Sequence, residues 1–266
     1  MVATALIVVG VLAGAVSPAV AQTPAGSPAH GSGALTAPAV ERPAIRARTA
    51  ATPLPAAVDL TQWAPAVGDQ GPLGSCTSWA IGYTMAGWYA NRLNRPTDFA
   101  PMFLYSQVHQ STAPDGGGQY TADVYRVAAA QGIAPRASYP QGDFDFRTKP
   151  TAAEVAAAAP YRLAPQITLY SGISAPGPAA RALIEAQLAA GHPVEIAFPV
   201  YPAFDRLNAA HWTLHERDVQ SDRAAGGHAV VVVGYDAGGV RIQNQWGTSW
   251  GQRGYADLGW DFVEQE

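Results

Sequence analysis

Asn244-Gln245-Trp246-Gly247-Thr248-Ser249-Trp250-Gly251-Gln252-Arg253-Gly254-Tyr255 is the stretch on which the reading of this chain turns. An asparagine amide oxygen accepts an imidazole N–H, which fixes the tautomer and the orientation of the ring. Trp246 stands where it would cover that bond and keep water from it. Alone, the stretch also reads as a turn asparagine followed by core tryptophans, so the histidine has to be found. Sixteen residues earlier stands His228, within Gly226-Gly227-His228-Ala229-Val230-Val231-Val232-Val233-Gly234-Tyr235. It opens a strongly hydrophobic strand, and the two glycines before it leave its ring room to face a cleft. Imidazole is the side chain suited to deprotonate a thiol near neutral pH. An isolated histidine at a strand end is more often structural.

Cys76 is the only cysteine, in Asp69-Gln70-Gly71-Pro72-Leu73-Gly74-Ser75-Cys76. A cysteine in the first turn of a helix meets free backbone N–H groups and the positive end of the helix dipole, which stabilise a thiolate. Gln70, six residues earlier, is in reach to present an amide N–H beside the sulfur. With the Cys76 backbone N–H it makes two donors for a developing oxyanion. A lone cysteine is by itself equally a small buried hydrophobe. The three segments together, in this order, carry a nucleophile, a base and an orienter.

These residues resemble the papain-like cysteine peptidases in four places: Gln70 to Cys76, the run Gly116-Gly117-Gly118, the His228 strand, and Asn244 to Tyr255. The similarity extends from about Ala57 to Phe262. It implies an α+β, two-lobed fold, with a helical lobe at about 66–160, an antiparallel β lobe at about 161–266, and the active-site cleft between them. It implies Cys76 as nucleophile, His228 as base and acid, Asn244 as orienter, Gln70 as oxyanion donor and Trp246 in support. Gly117, Gly118 and Gly227 would line the cleft and meet an extended substrate backbone, as an added strand does. The reaction would be peptide hydrolysis through a thioester on Cys76, with no cofactor and no metal.

The chain departs from that family in places. Leu73 stands where a structural cysteine is usual, and the partner cysteine expected near Pro114-Asp115-Gly116 is also missing, so the chain reads as a disulfide-free variant. Thr77 replaces the usual tryptophan after the nucleophile. Two other readings stay open: a cell-wall peptide hydrolase, and an inactive peptide-binding module on the same fold. His211, His215 and Glu216 have a spacing that hints at a metal, but a solvated loop is the plainer reading.

Composition narrows the classes further. The net charge is −4, charged residues are 14% and apolar residues 48%, so no basic surface calls for nucleic acid. The expected partner is a peptide or protein substrate, and the expected state a monomer. Residues 1–21 read as a signal peptide, with an apolar core from Ala5 to Leu12 and a cleavage site at Ala19-Val20-Ala21. A secreted or periplasmic bacterial protein without a membrane span in its mature chain follows. Residues 22–54 read as a disordered linker or short pro-segment, too poor in large apolar side chains to fold into a lid. The peptidase domain is read as 55–266, with order beginning near Val58.

The element pattern agrees with two lobes. Helices are expected from Ser75 to about Tyr89, Pro101 to Gln110, Thr121 to Gln131, from a capping box at Thr151–Glu154, and from Pro178 to Gly191. Strands are expected at Val194–Phe198, His228–Tyr235, Val240–Trp246 and Gly254–Leu258.

Overall fold

The computed structural model describes residues 7–9, 30–35, 53–164, 166–169 and 177–266. Three short strands come first: β1 (Ile7–Val9), β2 (Ala34–Leu35) and β3 (Val58–Asp59). Helix α1 (Cys76–Trp79) then runs through a wide-turned π segment, Ala80–Met85, into α2 (Ala86–Arg92) without a break. Trp79, Ile81, Met85 and Trp88 along it are buried, so this helix is a core element on nearly every side. Ser75 sits at the N-cap as expected, but its hydroxyl makes no cap bond. The Trp79 N–H donates to the Ser75 carbonyl instead.

The rest of the helical lobe follows its signals closely. Helix α3 (Pro101–Val108) has proline at its start, where the missing N–H costs nothing. Strand β4 (Gln119–Tyr120) leads directly into α4 (Thr121–Ala130). That helix stops at Gly132, which has φ +94°, and a Cβ there would lie 1.9 Å from the Ala158 carbonyl oxygen. Helix α5 (Ala152–Ala158) carries both bonds of the Thr151–Glu154 capping box.

The β lobe contains β5 (Gln166–Thr168), α6 (Gly177–Ala189), β6 (Val194–Val200), α7 (Pro202–Asp205), β7 (Thr213–Leu214), β8 (Gly226–Tyr235), β9 (Gly239–Gln243), β10 (Tyr255–Gly259) and α8 (Trp260–Gln265). Strands β6, β8, β9 and β10 pair antiparallel in that order. The four valines of β8 are all buried, because helices pack on both of its faces: α1 with its π extension on one side and α6 on the other. Near-continuous apolar sequence is what a strand covered twice requires. Strand β1 lies parallel between β5 and β6, so three residues of the stretch read as a signal peptide are placed in the sheet, while the expected cleavage site lies outside the described residues. Among the described residues, no helix is long and apolar enough to cross a membrane.

One charge-bearing side chain sits where the lobes meet. Glu195 on β6 is fully buried; Thr121 at the start of α4 donates to Oε1 at 3.5 Å, and Oε2 has no partner among the described residues. Burial pushes its carboxyl up to about 8, with the Thr121 bond opposing. The folded carboxyl therefore holds its proton up to a higher pH than the unfolded one, which releases it near 4.5. The stability this group contributes is complete below pH 4.5 and drains away as pH rises toward 8. Glu195→Gln should flatten that slope and stabilise the fold at pH 7 by on the order of 3 kcal/mol. Thermal melts of the two proteins from pH 4.5 to 8 check this; parallel curves would mean the carboxyl does not carry the slope.

Candidate active site

Two loops far apart in sequence are joined by backbone. Asp69 and Trp246 form an antiparallel bridge, flanked by Gln70 N–H to Gln245 O and Gly247 N–H to Gly68 O, both 2.9 Å. The run after β9 can curl back this tightly because Gly247, Gly251 and Gly254 adopt positive φ of 73°, 55° and 89°. The Asn244 N–H donates to the Gly254 carbonyl at 2.9 Å, which closes the curl. Asn244 is thereby held beside the start of β8.

There it meets His228. The imidazole Nε2 lies 2.8 Å from Asn244 Oδ1, and since an amide oxygen only accepts, Nε2 carries the hydrogen. The other nitrogen, Nδ1, is left without its hydrogen and has no partner among the described residues. Trp246 covers the pair, its ring centroid 4.6 Å from the imidazole. Phe204 and Trp250 back the indole at 5.2 and 5.7 Å, so the His–Asn bond is walled off by aromatic rings.

Cys76 opens α1 and is fully buried. Gln70 is buried beside it, with Nε2 donating to the carbonyls of Leu73 at 2.7 Å and Gly31 at 2.9 Å. Gln245, between Asn244 and Trp246, accounts for the other end of that amide. Its Nε2 donates to Gln70 Oε1 at 3.1 Å. The sequence carries no signal for this role, since Gln245 is one of several polar residues in the run.

The second bond of Gln70 reaches a segment distant in sequence. Residues 30–35, within the stretch read as a disordered linker or short pro-segment, lie extended through the cleft. Strand β2 pairs parallel with β4, and Gly33 O accepts from Gln119 N–H at 2.7 Å. Gly31 N–H donates to Gly71 O at 3.0 Å. His30 stacks flat on Trp246 at 5.0 Å and 9°, with Nε2 3.8 Å from Asp69. The segment needs few apolar side chains because backbone bonds seat it. It also needs glycine: a Cβ on Gly31 would lie 2.2 Å from Leu73 O, and one on Gly33 2.1 Å from Gly74 O. No folded lid is required for a segment that simply adds as a strand.

Burial sets the electrostatics of the pair. It raises the Cys76 thiol above its ordinary value, with backbone hydrogen bonds to Ala229, Gly33 and Thr77 opposing. It lowers His228 to about 4; the Asn244 bond opposes, and His30 adds to the lowering. Both shifts favour the neutral thiol and neutral imidazole.

The remaining site residues are also placed. A Cβ on Gly118 would lie 2.6 Å from Gly33 O, and one on Gly227 2.2 Å from Ala34 O, so both glycines line the cleft. On this wall the backbone bond to the extended segment nonetheless comes from Gln119: Gly118 O accepts from Gln110, and Gly117 O from the Tyr105 hydroxyl at 2.6 Å. The same hydroxyl donates to Asp115 O, which also accepts from Gly74 N–H, both at 2.9 Å. Those bonds tie together the two places where the resemblance implies a disulfide. His215 pairs with Asp261 at 2.9 Å, and His211 faces Asn208 across a short bridge.

Comparison with known proteins agrees with this geometry. The family described as papain family cysteine protease matches residues 54–262. An uncharacterized peptidase C1-like protein of Acanthamoeba polyphaga mimivirus is 27% identical over 213 residues, covering 74% of this chain and 65% of the viral one. Xylellain, a cysteine protease from Xylella fastidiosa, superposes with a TM-score of 0.72 at 24% identity, over 91% of this chain and 94% of its own. Procathepsin B of Trypanosoma congolense gives 0.61 at 19% identity, over 86% and 80%. The chain belongs to the papain family of cysteine proteases.

The plug should respond to pH. Both His30 and His228 have lowered values in the seated state, through burial in each case; Asp69 opposes for His30, and Asn244 opposes for His228. Release returns His30 toward 6.5 and takes up a proton there, while the proton His228 gains is offset by the one Cys76 gives up as the pair ionises. The seated state is therefore favoured above pH 6.5 and loses ground as pH falls below it. Hydrogen exchange across residues 30–35, corrected for its intrinsic pH dependence, should show protection that fades over that window. Protection that is constant or grows on acidification would contradict this.

Proposed function

We propose that this chain hydrolyses peptide bonds in peptide or protein substrates through an acyl-enzyme on Cys76, and that it is held latent by its own residues 30–35. With the cleft open, the thiol proton passes to His228 Nδ1, the nitrogen that Asn244 leaves free. The thiolate attacks the scissile carbonyl, and the oxyanion is taken by the Cys76 backbone N–H and Gln70 Nε2. As the tetrahedral species collapses, the C–N bond breaks and the leaving amine takes the proton from His228. A thioester remains. Water, deprotonated by His228, then attacks it and returns the thiol.

The observation that carries this reading is that Gln70 Nε2 already holds a peptide carbonyl, that of Gly31, at 2.9 Å. The same contact explains why the plug survives. The carbonyl at Gln70 belongs to Gly31, whereas the backbone against the sulfur belongs to Gly33. A cleavable peptide presents one carbonyl to both. The segment runs from His30 at Trp246 to Leu35 at Tyr120, parallel to β4.

Export is part of the proposal, supported by the apolar run and small-residue site in residues 1–21, as is a monomeric state.

The test uses the glycine that the plug cannot do without. Gly33→Val puts a side chain into the Gly74 carbonyl. A clash costing about 1.4 kcal/mol or more shifts the seated population about tenfold, so casein hydrolysis by the full chain should rise by about that factor. Adding Cys76→Ala to the same chain should abolish hydrolysis without lowering the melting temperature. Unchanged turnover in Gly33→Val would sink the latency, and residual turnover without the thiol would sink the nucleophile.

A further inference from the structure

Gln245 touches all the parts of the site at once. Its backbone N–H donates to Asn244 Oδ1 at 2.9 Å, and its carbonyl accepts from Gln70 N–H at 2.9 Å. Its side-chain Nε2 donates to Ala229 O at 2.8 Å and to Gln70 Oε1 at 3.1 Å, and lies 3.4 Å from Cys76 O. It is fully buried. One amide group thus sits between the oxyanion loop, the nucleophile helix and the histidine strand.

The consequence for Gln70 is a matter of amide chemistry. A carboxamide donates only from nitrogen and accepts only at oxygen, and a turn of half a circle about its last bond exchanges them. An oxyanion is stabilised by the nitrogen end and repelled by the oxygen end. Gln245 places a donor on the side away from the cleft, so Gln70 Oε1 turns to it and Nε2 faces the cleft; Leu73 O favours the same sense.

We propose that Gln245 is a positioning residue for acylation: it sets the sense of the Gln70 amide and locks the oxyanion hole to the nucleophile. This rests on the peptidase reading above. Gln245→Glu presents acceptors where Gln70 needs a donor, which turns or displaces the Gln70 amide. Gln245→Met keeps the bulk and removes the donor without adding an acceptor.

The experiment compares, in the full chain, two reagents that enter the same cleft, so the plug cancels in their ratio. A peptide aldehyde adds to the Cys76 thiol to give a hemithioacetal, whose oxygen occupies the hole. Iodoacetamide alkylates the same sulfur with loss of iodide and needs no oxyanion donor. Removing an oxyanion donor costs about 100-fold or more, so the ratio of aldehyde affinity to alkylation rate should fall by about 100-fold in Gln245→Glu. In Gln245→Met it should fall by about tenfold, since the amide keeps Leu73 O as a partner. For a fluorogenic peptide, kcat should fall with the ratio while KM holds. An unchanged ratio in a variant that melts as the parent does, or alkylation slowed as much as aldehyde binding, overturns the proposal. If the parent binds the aldehyde but hydrolyses no peptide, it is the peptidase reading that fails, and the ratio still reads Gln245. Should Gln245→Glu not fold, the methionine variant carries the same decision.

Discussion

The short backbone seam between Gly68–Gln70 and Gln245–Gly247 is the constraint on which the site depends. Its bonds join a loop before the nucleophile helix to a loop after the last core strands. Each partner is useless alone: Gln70 without the seam is a polar side chain on a surface loop, and Asn244 without it is a turn residue. Joined, they bring Gln70, the start of the Cys76 helix and Asn244 to one place. The core strands supply rigidity, since β8 is buried on both faces and carries His228 at its start. The bonds that hold the glycine run do the same for the other wall, with the Tyr105 hydroxyl tying Asp115 and Gly117.

Burial then works on the pair twice. In an open cleft, water stabilises both charges of a thiolate–imidazolium pair. With residues 30–35 seated, Cys76 and His228 are both excluded from water, and each is pushed toward its neutral form. The block is thus both steric and electrostatic.

Much of this was legible in the sequence, for identifiable reasons. The valine run of β8 signals a strand because doubly covered strands leave no room for polar residues. The Thr151–Glu154 box signals a helix start because its two bonds are reciprocal and local. The meeting of His228 with Asn244 is legible because an imidazole N–H needs a fixed acceptor and the amide oxygen supplies one. The plug was not legible, because Gly31, Ser32 and Gly33 act through their backbone and through what they lack; such a stretch has the composition of a linker. Gln245 was hidden for a related reason: its role lies in a partner distant in sequence. The π turn at Ala80–Met85 also escaped, since nothing local in Ala-Ile-Gly-Tyr-Thr-Met marks a wide turn and the close approach of Leu104 to Gly82 is tertiary.

The buried thiol has a consequence for chemical durability. Peroxide and other oxidants attack the thiolate far faster than the thiol, and only where they can reach it. Behind the plug, Cys76 is protonated and fully covered, and the chain has no second cysteine with which to form an internal bridge. On the proposed latency, the plugged protein withstands an oxidising medium without a reductant. Exposure on that reading begins when the cleft opens, so the working life of the enzyme is counted from its release and not from its synthesis.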